Sequence, residues 1–182
     1  MDVYKFKELG LGVILIENEI YTDERGFFME GFNVEEFKKH GINNTFIQYN
    51  ISRSKKGVLR GLHFQLEPYS QAKLVRCVRG EIFDLAVDIR KGSQTFGKHV
   101  SIKLKGDGKE MVLIPKGFAH GFLTLSSEDA DVIYYVDNNY APNHERGIIW
   151  NDPDLNIPWP FKPTLLSKKD QNWPRLKDYN LV

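Results

Sequence analysis

Short apolar and β-branched runs, separated by turn-forming residues, dominate the middle of the chain. The runs fall at 12–16, 73–78, 81–89, 100–104, 111–114 and 132–136. Glycine, asparagine and charged residues stand between them at 91–93, 106–108 and 138–139. Strands repeating at about ten residues favour an all-β barrel or sandwich over alternating β/α units. The pattern therefore predicts an all-β fold.

One short helix is predicted ahead of these strands. Asn33 can cap it, Glu36 stands three residues later as a capping-box partner, and Gly41 can end it. The tail from residue 151 onward is rich in proline and asparagine. We expect this tail to wrap around the barrel before a short helical turn at 167–172.

Composition narrows the class of protein. The 182 residues suit one domain spanning 1–182, and 41% hydrophobic with 27% charged residues is typical of globular proteins. Because 25 basic side chains balance 24 acidic ones, nothing suggests a nucleic-acid or membrane-surface partner. No apolar run approaches the roughly 18 residues that span a bilayer, and the polar N-terminus does not resemble a signal peptide. The lone Cys77 excludes an intrachain disulfide, so we expect a cytoplasmic protein.

Two short motifs resemble those of the cupin superfamily. The stretch 57–65 has a glycine, five residues, then His63 followed by Gln65, and PKGFAH at 115–120 ends in His120. Metal-binding cupins usually supply three histidines and a carboxylate. Here Gln65 replaces the second histidine and no glutamate stands in the usual place after it. Two histidines are fewer than a catalytic metal site typically keeps, so we expect a cupin-like barrel with no metal.

A histidine without a metal can serve as a general base, because its ordinary pKa lies near working pH. Strand alternation places His63 on one face with Leu59, Gly61 and Gln65. Arg60 would then point away, unless a bulge at Gly61 brings Arg60 and His63 to the same site.

Three charged residues interrupt neighbouring apolar strands. Lys73 begins the run at 73–78, and Asp84 and Asp88 share one face of the run at 81–89. The opposite face of that run is apolar. A carboxylate that points into a barrel needs a partner, and lysine or histidine are the candidates.

Each of these residues also has an ordinary structural interpretation. Histidines in strands are commonly satisfied structural residues, Lys73 can be solvated, and Asp84 and Asp88 can face solvent. Tyr134 and Tyr140 can simply pack in the barrel. Spacing alone therefore predicts a barrel with a candidate site and no defined substrate.

Five longer segments, taken together, carry a more specific resemblance. They are TDERGFFME (22–30), VLRGLHFQ (58–65), AKLVRCVRGEIFDLAVDIRKGSQTFG (72–97), IPKGFAHGFLTLS (114–126) and NDPDLNIPWP (151–160). In this order they resemble the dTDP-4-dehydrorhamnose 3,5-epimerase family, from about residue 12 to residue 172. The resemblance implies a cupin-like jelly-roll β-barrel with a few short helices, a homodimer and no cofactor. It also implies a dTDP-linked 4-keto-6-deoxyhexose substrate that is inverted at C3 and C5.

The resemblance further assigns roles to residues. His63 resembles the family's general base, Asp170 the carboxylate that orients it, Lys73 the group that stabilises the enolate oxygen, and Tyr134 the acid. Tyr140 resembles the aromatic residue that stacks on thymine. Positions that resemble contacts to the nucleotide, diphosphate or sugar are Arg25, Glu30, Gln48, Asn50, Arg60, His120, Glu145 and Lys169.

Three positions depart from the family's pattern. Tyr135 stands where lysine is usual, Asp137 where threonine or serine is common, and Tyr49 where aspartate is frequent. These departures put in doubt the fine substrate preference and which carbons are epimerised. Four alternatives stay open: a single-carbon epimerase of a related dTDP-4-keto sugar, a related enzyme that isomerises the ketone, a non-catalytic sugar-nucleotide-binding module, and a metal-dependent cupin oxygenase or isomerase.

Overall fold

Strands account for nearly all the regular structure in the computed structural model, which describes residues 3–179. In chain order the strands are β1 (Tyr4–Gly10), β2 (Val13–Asn18), β3 (Tyr21–Asp23), β4 (Gly26–Phe28), β5 (Gln48–Ser54), β6 (Leu59–Gln65), β7 (Lys73–Arg79), β8 (Glu81–Asp88), β9 (His99–Lys105), β10 (Glu110–Ile114), β11 (Phe118–Thr124), β12 (Ala130–Val136) and β13 (Glu145–Gly147). The helix α1 spans Val34–Lys39, and 3₁₀ turns lie at Pro142–His144 and Leu176–Asp178. No helix in the described part of the chain has the length and hydropathy to cross a membrane.

The strands form two antiparallel sheets and a separate hairpin. The larger sheet has the order β1-β2-β10-β7-β12-β5, the smaller one β13-β6-β11-β8-β9, and β3 pairs only with β4. Apolar side chains from both sheets pack between them, including Val75 and Val112 from one and Ile82 and Phe122 from the other. The expected all-β, cupin-like jelly roll is confirmed, as two facing sheets that do not close into a continuous barrel.

Two further apolar layers cover the outer faces of the sheets. The C-terminal tail lies over the five-stranded sheet, where Trp159 packs near Phe83 and Leu85. The helix α1 lies over the six-stranded sheet and buries Phe37 against its outer face. Because both faces of each sheet are covered in places, strands such as β8 are buried along almost their whole length.

The sequence predictions of secondary structure hold for all six strand runs and for the helix. Asn33 caps α1 by accepting hydrogen bonds from the backbone N–H groups of Glu35 and Glu36. The Glu36 carboxylate binds Lys39 at 2.7 Å instead of completing a capping box. At 167–172 the chain makes one turn without a regular helix, closed by a 3.2 Å hydrogen bond from Gln171 N to Ser167 O.

The solvent-facing interpretation of Asp84 and Asp88 is wrong, since both point between the sheets and are buried. Asp84 has the expected histidine partner, His120. Asp88 instead accepts hydrogen bonds from Arg90, Ser93 and Thr95. Burial alone would raise the pKa of Asp88, but these hydrogen bonds outweigh it and hold the pKa well below its usual range. Asp88 thereby anchors the turn between β8 and β9.

Candidate active site

Two adjoining cavities open between the sheets and share three lining residues: His63, Lys73 and Tyr134. The larger cavity, of about 290 Å³, is also lined by Gln48, Asn50, Phe64, Gln65, Gln71, Tyr140 and Glu145. The smaller cavity, of about 160 Å³, is also lined by Ser52, Arg60, His120 and Phe122. The three shared side chains therefore stand where the two spaces meet.

A bulge in β6 explains how Arg60 and His63 reach the same space. His63 pairs with His120 and Arg60 with Phe122, so three steps along β6 match two along β11. Gly61 lies at the bulge with a φ of +125°, and a Cβ there would come within 2.6 Å of the Gly121 Cα. Only glycine fits both constraints. The expected bulge is confirmed, and Leu59 packs in the outer apolar layer instead of sharing the face of His63.

His63 forms a dyad with Asp170, 107 residues away in the chain. The two are joined by a 2.5 Å hydrogen bond between His63 Nε2 and Asp170 Oδ1. Trp173 Nε1 donates to the same carboxylate oxygen at 3.1 Å, and Ser167 Oγ accepts from the Asp170 backbone N–H at 3.0 Å. Burial raises the pKa of Asp170, but the His63 and Trp173 hydrogen bonds outweigh it and lower the pKa. The carboxylate stays charged, and His63 Nδ1 is the ring nitrogen left for proton transfer.

A buried cation faces this dyad from the other sheet. Lys73 begins β7, and burial lowers the pKa of its amine to about 8, although the carboxylates of Asp84 and Glu145 act in the opposite direction. His120 Nε2 lies 2.8 Å from Asp84 Oδ2, and burial lowers the pKa of His120. At neutral pH the site therefore combines a charged lysine with a neutral His120. The solvated interpretation of Lys73 is wrong.

Tyr134 stands across the cavity from His63. It lies on β12 in the six-stranded sheet, whereas His63 lies on β6 in the five-stranded sheet. Burial raises the pKa of Tyr134, so its hydroxyl stays protonated at neutral pH. A base and an acid on facing sheets can reach a bound molecule from opposite sides.

The mouth of the larger cavity carries a polar cluster. Tyr140, half exposed, donates its hydroxyl to Glu145 Oε2 at 3.0 Å, and the Lys169 amine binds the same oxygen. The Tyr140 backbone N–H donates to Gln48 Oε1 at 3.2 Å, and Gln48 Nε2 donates to Asn50 Oδ1 at 2.9 Å. These contacts hold an aromatic ring at the entrance without burying it.

Two of the residues predicted for the site lie elsewhere in the chain. Arg25 is at the β3–β4 hairpin, where it pairs with Asp23 and its side chain is 85% exposed. Glu30 accepts a hydrogen bond from Tyr4 at 3.0 Å. Neither lines the cavities. The remaining predicted residues line a cavity or bind a residue that does.

Sequence reasoning missed several functional positions. Trp173 had no signal of its own, because its importance depends on the contact with Asp170. Ser52 and Gln71 were not singled out, although alternation along QYNISRS places Ser52 on the face of Gln48 and Asn50.

The residues present do not fit the metal site of a cupin. Gln65, in the place of a metal-binding histidine, accepts from the Ala141 N–H and donates to the Tyr69 and Asn139 carbonyl oxygens. Its role is to hold the loop that carries Tyr140. His63 and His120 are each committed to a carboxylate, and within residues 3–179 no group of three His, Cys, Asp or Glu side chains is arranged around a metal position.

The three departures from the family pattern lie outside both cavities. Tyr49 and Tyr135 are direct cross-strand partners on β5 and β12, and their ring centroids are 4.9 Å apart on the outer face of the sheet. Asp137 accepts from the Ala72 backbone N–H at 2.7 Å and from Asn44 Nδ2 at 2.9 Å. The paired tyrosines form one packing unit, and Asp137 fixes the chain just before Lys73.

Comparisons with known proteins identify the family. A family model described as dTDP-4-dehydrorhamnose 3,5-epimerase matches residues 10–178. The dTDP-4-dehydrorhamnose 3,5-epimerase of Shigella flexneri is 53% identical over 167 residues, covering 91% of this chain and 92% of that protein.

Solved structures show the same similarity. A dTDP-6-deoxy-D-glucose-3,5-epimerase from Legionella pneumophila Philadelphia 1, in complex with dTDP-4-keto-L-rhamnose, superposes with a TM-score of 0.91 at 45% identity, covering 96% of this chain and 93% of that one. A 3′-monoepimerase from Streptomyces bikiniensis, in complex with dTDP-quinovose, gives a TM-score of 0.85 at 36% identity, covering 91% and 84%.

Replacing Trp173 by phenylalanine tests how the dyad is tuned. Loss of the indole N–H should raise the pKa of Asp170, because one of the hydrogen bonds that stabilise its charged form is gone. A ¹³C NMR titration of the Asp170 carboxyl measures this. Trp159→Phe is the matched control, since it removes a 2.8 Å indole hydrogen bond to Trp150 O elsewhere in the tail. Each variant should lose about 1 kcal/mol of stability, but only Trp173→Phe should move the titration; an unmoved Asp170 would rule out this tuning.

Proposed function

The chain belongs to the dTDP-4-dehydrorhamnose 3,5-epimerase family, and we propose that His63, Lys73 and Tyr134 perform its reaction within the two joined cavities. The enzyme is an isomerase that inverts C3 and C5 of dTDP-4-dehydro-6-deoxy-D-glucose to give dTDP-4-dehydro-L-rhamnose. One observation carries the assignment of roles: the candidate base and the candidate acid stand on facing sheets of the same space.

His63 acts as the base. The hydrogens on C3 and C5 are both α to the C4 ketone, so their removal gives an enolate. His63 Nδ1 accepts the proton, and the Asp170 carboxylate at Nε2 stabilises the imidazolium that forms. A well-placed general base of matched pKa contributes roughly 10²–10⁴ in rate.

Lys73 stabilises the negative charge that develops on the C4 oxygen. Its amine lies between the sheets, where a charge interaction is stronger than in water. Such electrostatic stabilisation is commonly the largest catalytic contribution, and removing one comparable donor costs roughly 10²–10³ in kcat. The carboxylates of Asp84 and Glu145 are the nearby charges that help keep the amine protonated.

Tyr134 returns a proton to the carbon from the face opposite His63. Its raised pKa keeps the hydroxyl protonated until it transfers the proton to the enolate. His63 breaks the C–H bond on one face of the sugar ring. A new C–H bond then forms on the opposite face with the proton from Tyr134. Exchange with solvent then restores both groups to their starting states.

The mouth of the larger cavity holds the nucleotide. The half-exposed ring of Tyr140 offers a stacking surface for thymine, fixed by Glu145. Arg60 suits the diphosphate, because its guanidinium is held by Ser54 Oγ at 2.8 Å and by Arg53 O at 3.0 Å. The remaining polar groups around the path are Gln48, Asn50, His120 and Lys169.

We also propose a homodimer in which one copy completes the site of the other. The outer face of the six-stranded sheet and the β3–β4 hairpin expose Phe27 (57%), Phe28 (68%) and Ile51 (67%). Large exposed apolar patches commonly mark protein interfaces. Arg25 and Glu30 flank Phe27 and Phe28 and lie outside the cavities of their own chain. A second copy placed on this face would explain how they contact the nucleotide.

A cytoplasmic location completes the proposal. Cys77 is buried and free, and burial raises the pKa of its thiol to about 11, so it is an unreactive core residue. A chain with one such cysteine needs no oxidising compartment.

Changing Tyr134 to phenylalanine should separate proton removal from inversion. We expect the variant to exchange substrate hydrogens with deuterated solvent, because His63 and Lys73 remain, while product formation falls by roughly 10²-fold or more. NMR follows both processes in one sample. Tyr135→Phe is the control, since it removes the same hydroxyl from the next residue, which faces the outer side of the sheet. Product formation by Tyr134→Phe at the normal rate would reject the acid assignment.

The lowered pKa of Lys73 predicts an alkaline loss of activity. Above about pH 8 the amine becomes neutral and no longer stabilises the enolate. The kcat/KM profile, which reports groups of the free enzyme, should fall with an apparent pKa near that value. In Lys73→Arg the remaining activity should persist to higher pH, because a guanidinium stays charged. An alkaline limb that is identical in both proteins would assign the limb to another group.

Heterodimers test whether Arg25 acts on the partner's site. Two differently tagged chains, one with Arg25→Ala and one with His63→Ala, are co-expressed and the mixed dimer is purified. One of its two sites would be intact, so at low substrate it should show about half of wild-type activity. If Arg25 served its own chain, both sites would be defective. A mixed dimer of His63→Ala and Tyr134→Phe chains, in which each site carries one defect, should be inactive.

A further inference from the structure

A row of four polar side chains follows the inward face of β5: Gln48, Asn50, Ser52 and Ser54. Three of them bind protein groups. Gln48 donates to Asn50 and accepts from the Tyr140 N–H, and Ser54 Oγ accepts from Arg60 Nε. The row runs from the larger cavity into the smaller one. The row therefore passes the point where the two cavities meet.

Ser52 is the exception in this row. Its Oγ is buried, yet it has no hydrogen-bond partner within residues 3–179. It lines the smaller cavity together with His63, Lys73 and Tyr134. A buried hydroxyl without a partner is unfavourable, and such groups in native proteins call for an explanation. A bound ligand that supplies the missing partner is the explanation the location favours.

We propose that Ser52 Oγ hydrogen bonds the C2 hydroxyl of the sugar, a contact that rests on the function proposed above. Arg60, the candidate diphosphate contact, lines the same cavity and is held by Ser54, two residues along β5 on the same face. The diphosphate is attached to C1, so the carbon next to it lies nearest to this end of the cavity. A serine hydroxyl can both donate to and accept from another hydroxyl.

The chemistry of the ring singles out the same position. C4 carries the ketone oxygen whose developing charge Lys73 stabilises, and C6 is a methyl group without a polar atom. The C3 hydroxyl changes direction when C3 inverts, whereas the C2 configuration is the same in substrate and product. A hydrogen bond to the C2 hydroxyl therefore keeps the same geometry and can hold the ring in place while C3 and C5 are inverted.

A two-by-two comparison tests this contact. Wild-type protein and Ser52→Ala are each assayed with the natural substrate and with its 2-deoxy analogue. With the natural substrate, Ser52→Ala should lower kcat/KM by roughly 3- to 10-fold, the effect of one neutral hydrogen bond. With the 2-deoxy analogue the two proteins should be equally active, because the partner hydroxyl is absent. Equal activity on the natural substrate, or an undiminished loss on the analogue, would overturn the assignment.

Thermal unfolding distinguishes this role from a structural one. Removing a hydroxyl that has no protein partner should leave the Tm of the free protein unchanged or raise it, whereas a structural serine would lower it on removal. Ser101→Ala, on the exposed side of β9, is the matched control and should be unchanged in both measurements. Wild-type turnover of the natural substrate is measured in the same series, and its absence would reject the proposed function. If the wild-type protein is active but Ser52→Ala has the same effect on the natural substrate and on the 2-deoxy analogue, only the Ser52 contact is rejected.

Discussion

The hydrogen bond between His63 and Asp170 is the contact on which the site depends, because it joins two parts of the chain that have no local reason to meet. His63 is placed by the Gly61 bulge in β6, and Asp170 by the C-terminal tail that covers the outer face of the same sheet. Packing of the tail therefore determines where the carboxylate partner of the proposed base lies. Trp173 strengthens this link, since its indole binds the same carboxylate oxygen as the histidine.

The interior between the sheets combines a large apolar core with a small set of charged groups. Val75, Ile82 and Phe122 fill one part of it, while Lys73, Asp84 and His120 occupy the part next to the cavities. Burying a charge is costly unless it is paired. Asp84 is paired with His120 at 2.8 Å, and its charge, with that of Glu145, raises the pKa of Lys73 against the effect of burial. The same burial raises the pKa of Tyr134, which keeps its hydroxyl protonated. It also lowers the pKa of the Lys73 amine to about 8. The fold thus sets the protonation states that the proposed mechanism requires.

Local signals in the sequence were sufficient for about half of the thirteen strands in residues 3–179 and for the helix. The apolar runs predicted six strands, and Asn33 with Gly41 predicted the helix. The strand β5 was among those missed, because its inward face is the polar row of the site and its apolar residues, Tyr49 and Ile51, lie on the exposed outer face. The direction of Asp84 and Asp88 remained ambiguous, since alternation along β8 does not tell which face meets the other sheet. The role of Trp173 depends on its contact with Asp170, the proposed role of Ser52 depends on a bound sugar, and the proposed roles of Arg25 and Glu30 depend on the proposed second copy.

Deuterium incorporation into the sugar shows whether one cavity, with its base and acid on facing sheets, inverts both C3 and C5. The purified protein is incubated with dTDP-4-dehydro-6-deoxy-D-glucose in deuterated buffer, and the H3 and H5 signals are followed by NMR. Loss of both signals, with conversion to dTDP-4-dehydro-L-rhamnose, is the predicted result. Loss of only one signal, or no exchange while the nucleotide sugar is demonstrably bound, would show that this cavity does not invert both carbons.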